Sequence, residues 1–470
     1  MTARACAIAL VILVAGAGAA GADENKDLDL IPEGARQSAA SSTEAPTTND
    51  AGQRIYVENA VTLASRRNGL LVPFPPPPTF HWQDRLFLDV RKQWSPADRV
   101  KLTYSGRLNV RAEDDLSSPS HENVIHDLRE AYAGWEPLDG TYIDVGRINL
   151  KSGVALGYNP TDFFKTRAVV EPLSADPTAL REDRLGTVMV QGQHIGQGGA
   201  LTAAFAPRVS SASSIYTNTN LPSFDPMFDR TNAQNRFLLK SSVDIAEGFS
   251  PELLLYREGS QTRLGANLTS SVSQSVVAYL EWAGGRRASL IDDALRFGRN
   301  TGTLPSDAPS VLPEDSHRSF QSELSVGASY TTATKITFNF EYHFNQAGFS
   351  RADWNNWFGA GRDSGASSPV ARELWFIRSY ALDQQQQLSR HGLFLRADWT
   401  DAFVPRLQLT GFVNTDLYDG SSLVQLGADY HLSNTWTVGA TVVGNFGGRH
   451  SDFGSLPQAA SFLVKIARYF

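Results

Sequence analysis

From Arg85 to its end the chain repeats every second position. Val100, Leu102, Tyr104, Gly106, Leu108, Val110 and Ala112 fall on one face of an extended segment, and Lys101, Thr103, Ser105, Arg107, Asn109 and Arg111 fall on the other. Successive side chains of a β-strand point to opposite sides, so this is a strand with one apolar and one strongly polar surface. The pattern recurs at Ile336, Phe338, Phe340, Tyr342 and Phe344 against Thr337, Asn339, Glu341 and His343. It recurs at Leu407, Leu409, Gly411 and Val413 against Arg406, Gln408, Thr410 and Asn414, and at Trp436, Val438, Ala440, Val442 and Phe446 against Thr437, Gly439, Thr441 and Asn445.

Seventeen such segments lie near 85–94, 99–112, 124–136, 141–151, 186–195, 200–208, 235–245, 251–258, 262–272, 275–286, 320–331, 335–346, 390–400, 406–417, 422–432, 436–447 and 459–470. No stretch of comparable length carries a helical period. A soluble sandwich uses about seven to nine strands, and seventeen long ones with a charged face overfill it. A closed barrel with its apolar face to lipid and its polar face to a lumen accommodates them. A strand of that kind needs only half its residues apolar, which explains a hydrophobic content of 41%.

Loop lengths point the same way. Short connections (95–98, 138–140, 196–199, 246–250, 332–334, 433–435) alternate with long ones (152–185, 209–234, 287–319, 347–389, 448–458). Every long one falls on the same side when strands are counted back from the end, as in outer-membrane barrels with tight periplasmic turns and longer external loops. Such barrels have an even strand number, so Arg54 to Leu63 is read as a further strand. The fold class expected is an all-β, transmembrane, antiparallel up-and-down barrel of about 18 strands, with 16 as the alternative. Residues 372–383 also look extended and are assigned to an external hairpin or loop. Trp94, Trp135, Tyr330, Trp399, Tyr430 and Trp436 sit beside the short turns, where an interfacial aromatic girdle belongs.

Residues 1–22 read as a secretory signal peptide: Arg4, an apolar stretch from Ala5 to Val14, and the small-residue cleavage site Ala20-Gly21-Ala22. The single cysteine, Cys6, lies within it, so a disulfide scaffold and Cys-ligated zinc or iron–sulfur sites are excluded. Residues 23–52, rich in Ser, Thr, Ala, Asp and Glu, read as a disordered periplasmic lead-in, and 53–470 as the barrel. The run Pro75 to Pro78 reads as a stiff spacer. Beyond the signal no apolar run approaches the roughly 20 residues of a spanning helix. A net charge of −7 argues against a nucleic-acid partner. Thirty residues of lead-in leave no room for the plug domain of an energy-coupled receptor.

In this phase the lumen receives Arg91, Lys101, Arg107, Arg111, Glu130, Arg263, Glu281, Glu341, Arg396, Asp398, Asp416 and Asp429. Mixed charges of this kind suit a water-filled wall, set up a transverse field and do not support strong ion selectivity. The alternative is a plugged lumen whose charges satisfy one another. The long segment 152–185 mixes aromatics with turn residues. Tyr158, Asn159, Asp162 and Phe163 are its candidates for a constriction folded inward, with a solvated surface loop as the other reading. Trp354 and Trp357, beside Asn355 and Asn356, are flat rings suited to stacking on sugars, although packing within their own loop is the favoured reading. The end of the chain alternates Phe462, Val464 and Ile466 with Leu463, Lys465 and Ala467 and finishes at Phe470. That resembles the C-terminal signal read by the outer-membrane assembly machinery, except that Arg468 stands at an often apolar position.

Leu128-Arg129-Glu130-Ala131-Tyr132, Gly146-Arg147 and Asn159-Pro160-Thr161-Asp162 resemble a recurrent stretch of uncharacterised Gram-negative outer-membrane barrels. The stretch is also similar to the alginate-export family over roughly residues 85–210. That resemblance implies an eighteen-stranded porin-like transporter. The exporters' pore is markedly arginine-rich, and the mixed charges here depart from it. No Gly-x-Ser-x-Gly elbow and no His-Glu-x-x-His motif is present, and the nine histidines are dispersed. The expectation is therefore a non-enzymatic channel of the bacterial outer membrane for small hydrophilic or organic solutes, without cofactor or metal. The alternatives are an exopolysaccharide export pore and a structural or adhesive barrel. The expected partners are outer-membrane lipid, the assembly machinery and the solute or polysaccharide.

Overall fold

The computed structural model describes residues 53–67, 80–113, 124–170, 174–215, 224–246, 248–306, 310–314, 317–363 and 369–470. The expected signal peptide, the lead-in and the proline run lie outside the described residues. Eighteen strands follow one another: β1 (Gln53–Arg66), β2 (Phe80–Ala97), β3 (Val100–Glu113), β4 (Val124–Leu138), β5 (Thr141–Ile148), β6 (Thr187–Gly196), β7 (Gly199–Ala206), β8 (Arg236–Val243), β9 (Glu252–Glu258), β10 (Gln261–Ser273), β11 (Val276–Arg287), β12 (Ser319–Thr331), β13 (Ile336–Asn345), β14 (His391–Trp399), β15 (Leu407–Asp416), β16 (Ser422–His431), β17 (Trp436–Phe446) and β18 (Gln458–Tyr469).

Each strand pairs antiparallel with the one before and the one after it. The register Tyr56↔Tyr469 through Leu63↔Phe462 joins β18 to β1 and closes the sheet. Closure removes both sheet edges and with them the open rows of backbone donors and acceptors that an edge strand presents. Arg54 to Leu63 is the expected additional strand, and the eighteen-strand reading holds.

The period-2 phase decides the two surfaces. Leu86, Leu88, Leu102, Leu108, Val190, Leu201, Phe205, Leu264, Phe338, Phe340, Leu426 and Val442 are exposed on the outer wall. An outer wall of exposed leucine, valine and phenylalanine fits hydrocarbon rather than water. Trp94, Trp135, Tyr330, Tyr430 and Trp436 are exposed beside the short turns. Arg468 continues the outward row of β18, and its guanidinium lies 5.4 Å from the Trp436 ring and 5.0 Å from that of Phe470. A cation there is anchored by aromatic faces at the girdle, which explains how the terminal pattern tolerates it. The Phe470 N–H donates to Ile55 O at 2.9 Å, fastening the last residue across the seam.

The long connections carry helices, although no helical period comparable to the strand pattern is visible in their sequence. Five occur among the described residues, all in the connections on the long-loop side: α1 (Pro177–Glu182), α2 (Phe228–Thr231), α3 (Leu290–Asn300), α4 (Arg351–Asp363) and α5 (Pro369–Asp383). Residues 372–383, expected to be extended, belong to α5. Its buried stripe is Leu374, Ile377, Arg378 and Ala381, the i, i+3, i+4, i+7 spacing of a helix. A cation in that stripe masked the apolar period. Arg378 is satisfied there by Asp452 at 2.5 Å and by the Ser455 hydroxyl at 2.9 Å, both from the β17–β18 connection. Together α3, α4 and α5 bury a second apolar core over the long-loop end of the barrel, around Leu295, Phe349, Trp357, Leu374 and Phe376.

Candidate functional site

The long connection between β5 and β6 lies inside the barrel. Residues 153–168 fold against apolar side chains that point inward from β6 to β11: Met189, Ala204, Leu238, Leu254, Tyr256 and Ala283. Phe163 stacks on Tyr256 with ring centroids 4.5 Å apart, and Phe164 meets the same ring edge-on at 5.8 Å. Strands here are apolar on both faces: one is the exposed outer wall and the other is covered by this segment.

The segment is also pinned by carboxylates. Glu281 of β11 has no exposed surface. It accepts the Val154 N–H, the Ala155 N–H at 2.5 Å and the Thr161 hydroxyl at 3.1 Å. Glu341 of β13 accepts the Leu156 N–H at 2.6 Å, the Gly157 N–H at 2.8 Å and the Tyr279 hydroxyl at 2.7 Å. His343 Nε2 lies 2.7 Å from the same carboxylate. Buried carboxylates are stable only with such donors, and the irregular backbone has no ladder of its own. Gly153 makes the approach geometrically available. Its φ is +80°, and a Cβ there would stand 2.5 Å from Glu281 Oε1.

Further along, the segment reaches other strands. The Ser325 hydroxyl of β12 donates to Tyr158 O at 2.5 Å. Arg396 of β14 donates to Asp176 at 2.5 Å, and the Ala175 N–H donates to the Gln425 side chain of β16 at 3.2 Å. Returning, Asp183 receives Arg107 of β3 bidentately at 2.8 and 2.9 Å and Arg129 of β4 at 3.0 Å. Asp89 of β2 holds the same two arginines from the other side, at 2.9 and 2.7 Å. One segment thus ties β2–β4 to β11–β16 across the lumen. Within it, Arg184 clasps Asp162 at 2.6 and 3.1 Å, and Lys165 Nζ donates to Asn159 O at 2.6 Å while lying 4.5 Å from the centre of the Tyr158 ring. Burial pushes the Lys165 ammonium down to about 8.

Polar space remains beside the segment. A cavity of about 530 Å³ opens on the short-turn half, lined by Arg91, Glu130, Asp144, Lys240 and Glu252 among others. A second, of about 40 Å³, lies against Phe87, Arg107, Asn109 and Asp127. The cluster of Arg107, Arg129, Asp89 and Asp183 stands between them.

A barrel of this build is known from solved structures. The chain is similar to OccK5 (OpdH) of Pseudomonas aeruginosa, with a TM-score of 0.50 and 9% identity over 89% of this chain and 98% of that one. The fold is that of a Gram-negative outer-membrane porin. OccAB4 of Acinetobacter baumannii aligns at a TM-score of 0.49 and 8% identity over 89% and 97% of the chains. OprB of Pseudomonas putida aligns at 0.45 and 9% over 89% and 94%. No family model matches the chain, and no curated protein sequence does.

Within this porin-like barrel the expected wall residues divide into two groups. Arg91, Lys101, Glu130 and Asp429 keep contact with open lumen space, Asp429 pairing with Lys465 at 3.0 Å. Arg111, Glu281, Glu341, Arg396, Asp398 and Asp416 face inward but are buried, and Arg263 is mostly covered. Arg107 is nearly so, committed to Asp89 and Asp183. Arg263 holds Glu323 at 2.5 Å, Arg396 holds Asp398 at 2.6 Å, and Asp416 accepts from the Ser389 hydroxyl. Apart from Arg111, which pairs with Glu113 of its own strand at 3.6 Å, these groups support the inward segment and the cap rather than an open wall. Tyr158, Asn159, Asp162 and Phe163 are all buried in the lumen.

Trp354 and Trp357 are helical residues of α4 and are buried, Trp357 donating its indole N–H to Leu374 O at 3.2 Å, so neither ring is available to stack on a sugar. The sequence reading did not single out Asp144 or Asp183, nor Leu238, Leu254 and Tyr256 as a seat. The signal for the seat was present: Leu253, Leu254 and Leu255 run without alternation, as a strand covered on both faces does.

Proposed function

We propose that the chain is a channel of the bacterial outer membrane through which small hydrophilic or organic solutes diffuse passively. The short turns face the periplasm and the long connections the outside, as in other barrels of this kind. The observation that supports this reading is the inward segment, anchored on opposite walls with a polar cavity beside it. An inward segment narrows the lumen without filling it, which sets a size limit and brings charged groups into the path. Anchorage on both walls favours small solutes over a polymer chain. The apolar outer wall is the surface offered to outer-membrane lipid, and β18 with Phe470 is the end offered to the assembly machinery.

Ionic conductance of the purified full chain in planar bilayers tests the reading. Step-like, reproducible openings are expected, with a larger unitary conductance once residues 152–185 are deleted. Silent bilayers with both proteins would overturn it.

A further inference from the structure

The cavity on the periplasmic half holds charges of both signs that the protein leaves incompletely matched. Asp144 of β5 lines it and makes no hydrogen bond or ion pair among the described residues. The inward residue beside it on β4 is Gly134, and a Cβ there would stand 2.7 Å from Asp144 Oδ1, so the carboxylate lies over bare backbone. Arg91 of β2 also lines the cavity. Its side chain is 50% exposed, and its ion-pair partner Glu130 is 3.9 Å away, beyond hydrogen-bond distance. An unmatched carboxylate and a loosely held guanidinium in one cavity are complementary to a solute with an ammonium and a carboxylate.

The strand register sets their spacing. Arg91 faces Ser105, which faces Glu130, while Asp144 faces Gly134, four residues further along β4. Four residues of strand are roughly 13 Å and three strand intervals about 14 Å, which puts the two Cα atoms on the order of 19 Å apart. Both side chains reach inward, so the gap left between their charges suits a peptide of two or three residues, at about 3.5 Å each, better than a single amino acid. Gln191, Gln193, Thr202 and Asn267 line the same space with neutral donors and acceptors, the groups that peptide amides require.

We infer that the periplasmic cavity is a binding site for short zwitterionic peptides, with the peptide ammonium at Asp144 and its carboxylate at Arg91, and that such peptides are the preferred solutes. The preference rests on the channel reading; the site itself does not.

The probes are dialanine, its N-acetyl form, its C-terminal amide and glucose. Flux into liposomes carrying the full chain is read by osmotic swelling, and binding to the detergent-solubilised protein by equilibrium dialysis. Dialanine is expected to enter roughly 3- to 10-fold faster than either blocked form or glucose, the range of one partly exposed charge-assisted contact at each end. Asp144→Asn, which removes no bond of the protein, and Arg91→Gln are each expected to bring dialanine down to the rate of the blocked forms. Heat-modifiable gel mobility reports whether each variant has folded. Equal rates for all three peptide forms in the unaltered protein overturn the preference, and that comparison needs no variant. Conductance without peptide binding overturns the site and leaves the channel; peptide binding without flux or conductance leaves the site and overturns the channel.

Discussion

Replacing Glu281 and Glu341 together by alanine is expected to release the inward segment while leaving the barrel intact. Four backbone donors of the segment, on Val154, Ala155, Leu156 and Gly157, end on these two carboxylates. A hydrogen bond to a charged group contributes about 1.5–3 kcal/mol net. Water entering the widened lumen would recover roughly half of that, so the seated form would lose about 3–6 kcal/mol. At about 1.4 kcal/mol per factor of ten, the ratio of seated to released segment falls by roughly 10²- to 10⁴-fold. The ladders of β11 and β13 are untouched, since both strands are paired on both sides through backbone alone. Single-channel recording should therefore show a larger and noisier unitary current, limited proteolysis should cut within 149–186, and the folded barrel should keep its heat-modifiable mobility. Glu341→Gln is the finer probe, because one of its accepting oxygens becomes an amide that faces N–H donors. Wild-type conductance together with wild-type protease resistance in the double variant would refute the reasoning. It would mean that the Phe163 and Phe164 packing holds the segment alone.

Three further outcomes follow from the same geometry. Asp183→Ala leaves Arg107 and Arg129 without their carboxylate from the segment, so the anion-to-cation permeability ratio is expected to rise several-fold, on the scale of roughly 1 kcal/mol per freed charge. Arg107→Ala with Arg111→Ala moves it the other way, and reversal potentials in a salt gradient that fail to separate the two would count against a selective role for this wall. Lys165, pushed by burial from its ordinary 10.5 to about 8, binds fewer protons when the segment is seated than when it is released. The seat therefore strengthens as pH rises from about 8 to 10.5, by up to about 3 kcal/mol, and is weakest and flat below that window. Current noise should fall between pH 7 and pH 10 in the unaltered protein and not in Lys165→Met; a rise would contradict the burial argument. Trp357→Ala empties the centre of the external cap at a cost of about 3–5 kcal/mol, read as faster proteolysis within residues 290–383 with unchanged barrel mobility; an equally resistant cap would show that it is not one packed unit.

The barrel was legible in the sequence because its signal is repeated and local. Each strand announces itself by alternation, and β1, the weakest, was recovered from parity. What alternation cannot reveal is what fills the lumen. Polar residues on the inner phase, such as Glu281 and Arg91, look identical in sequence, yet one is sealed beneath Val154 and Ala155 and the other faces a cavity. The difference depends on a non-local partner whose backbone N–H groups leave no mark in composition. The helices were missed for a related reason. In α5 the buried stripe includes Arg378, and only the fold places Asp452 where it neutralises that cation. In α4 the stripe is short, with Trp354, Trp357 and Phe358 at i, i+3 and i+4, and such rings beside asparagines read equally well as an exposed binding loop.

Net charge is therefore a poor guide to what such a lumen selects. Most of its ions are committed to architecture: Arg107 and Arg129 to Asp183, Arg396 to Asp176 and Asp398, Arg263 to Glu323. Each such pair is held within about 3 Å and partly or wholly dehydrated, so a passing solute would have to displace a partner already in place, against several kcal/mol of desolvation and contact. Uncommitted groups impose no such exchange. Arg91, with its partner at 3.9 Å, and Asp144, with none among the described residues, are open to a solute at little cost. Two barrels of equal inner composition would then select different solutes if their inward segments engaged different charges. In this chain the segment engages the arginines on β3 and β4 beside Asp183 and leaves the cavity on the periplasmic side partly unmatched, so discrimination is expected from that cavity rather than from the narrowest point.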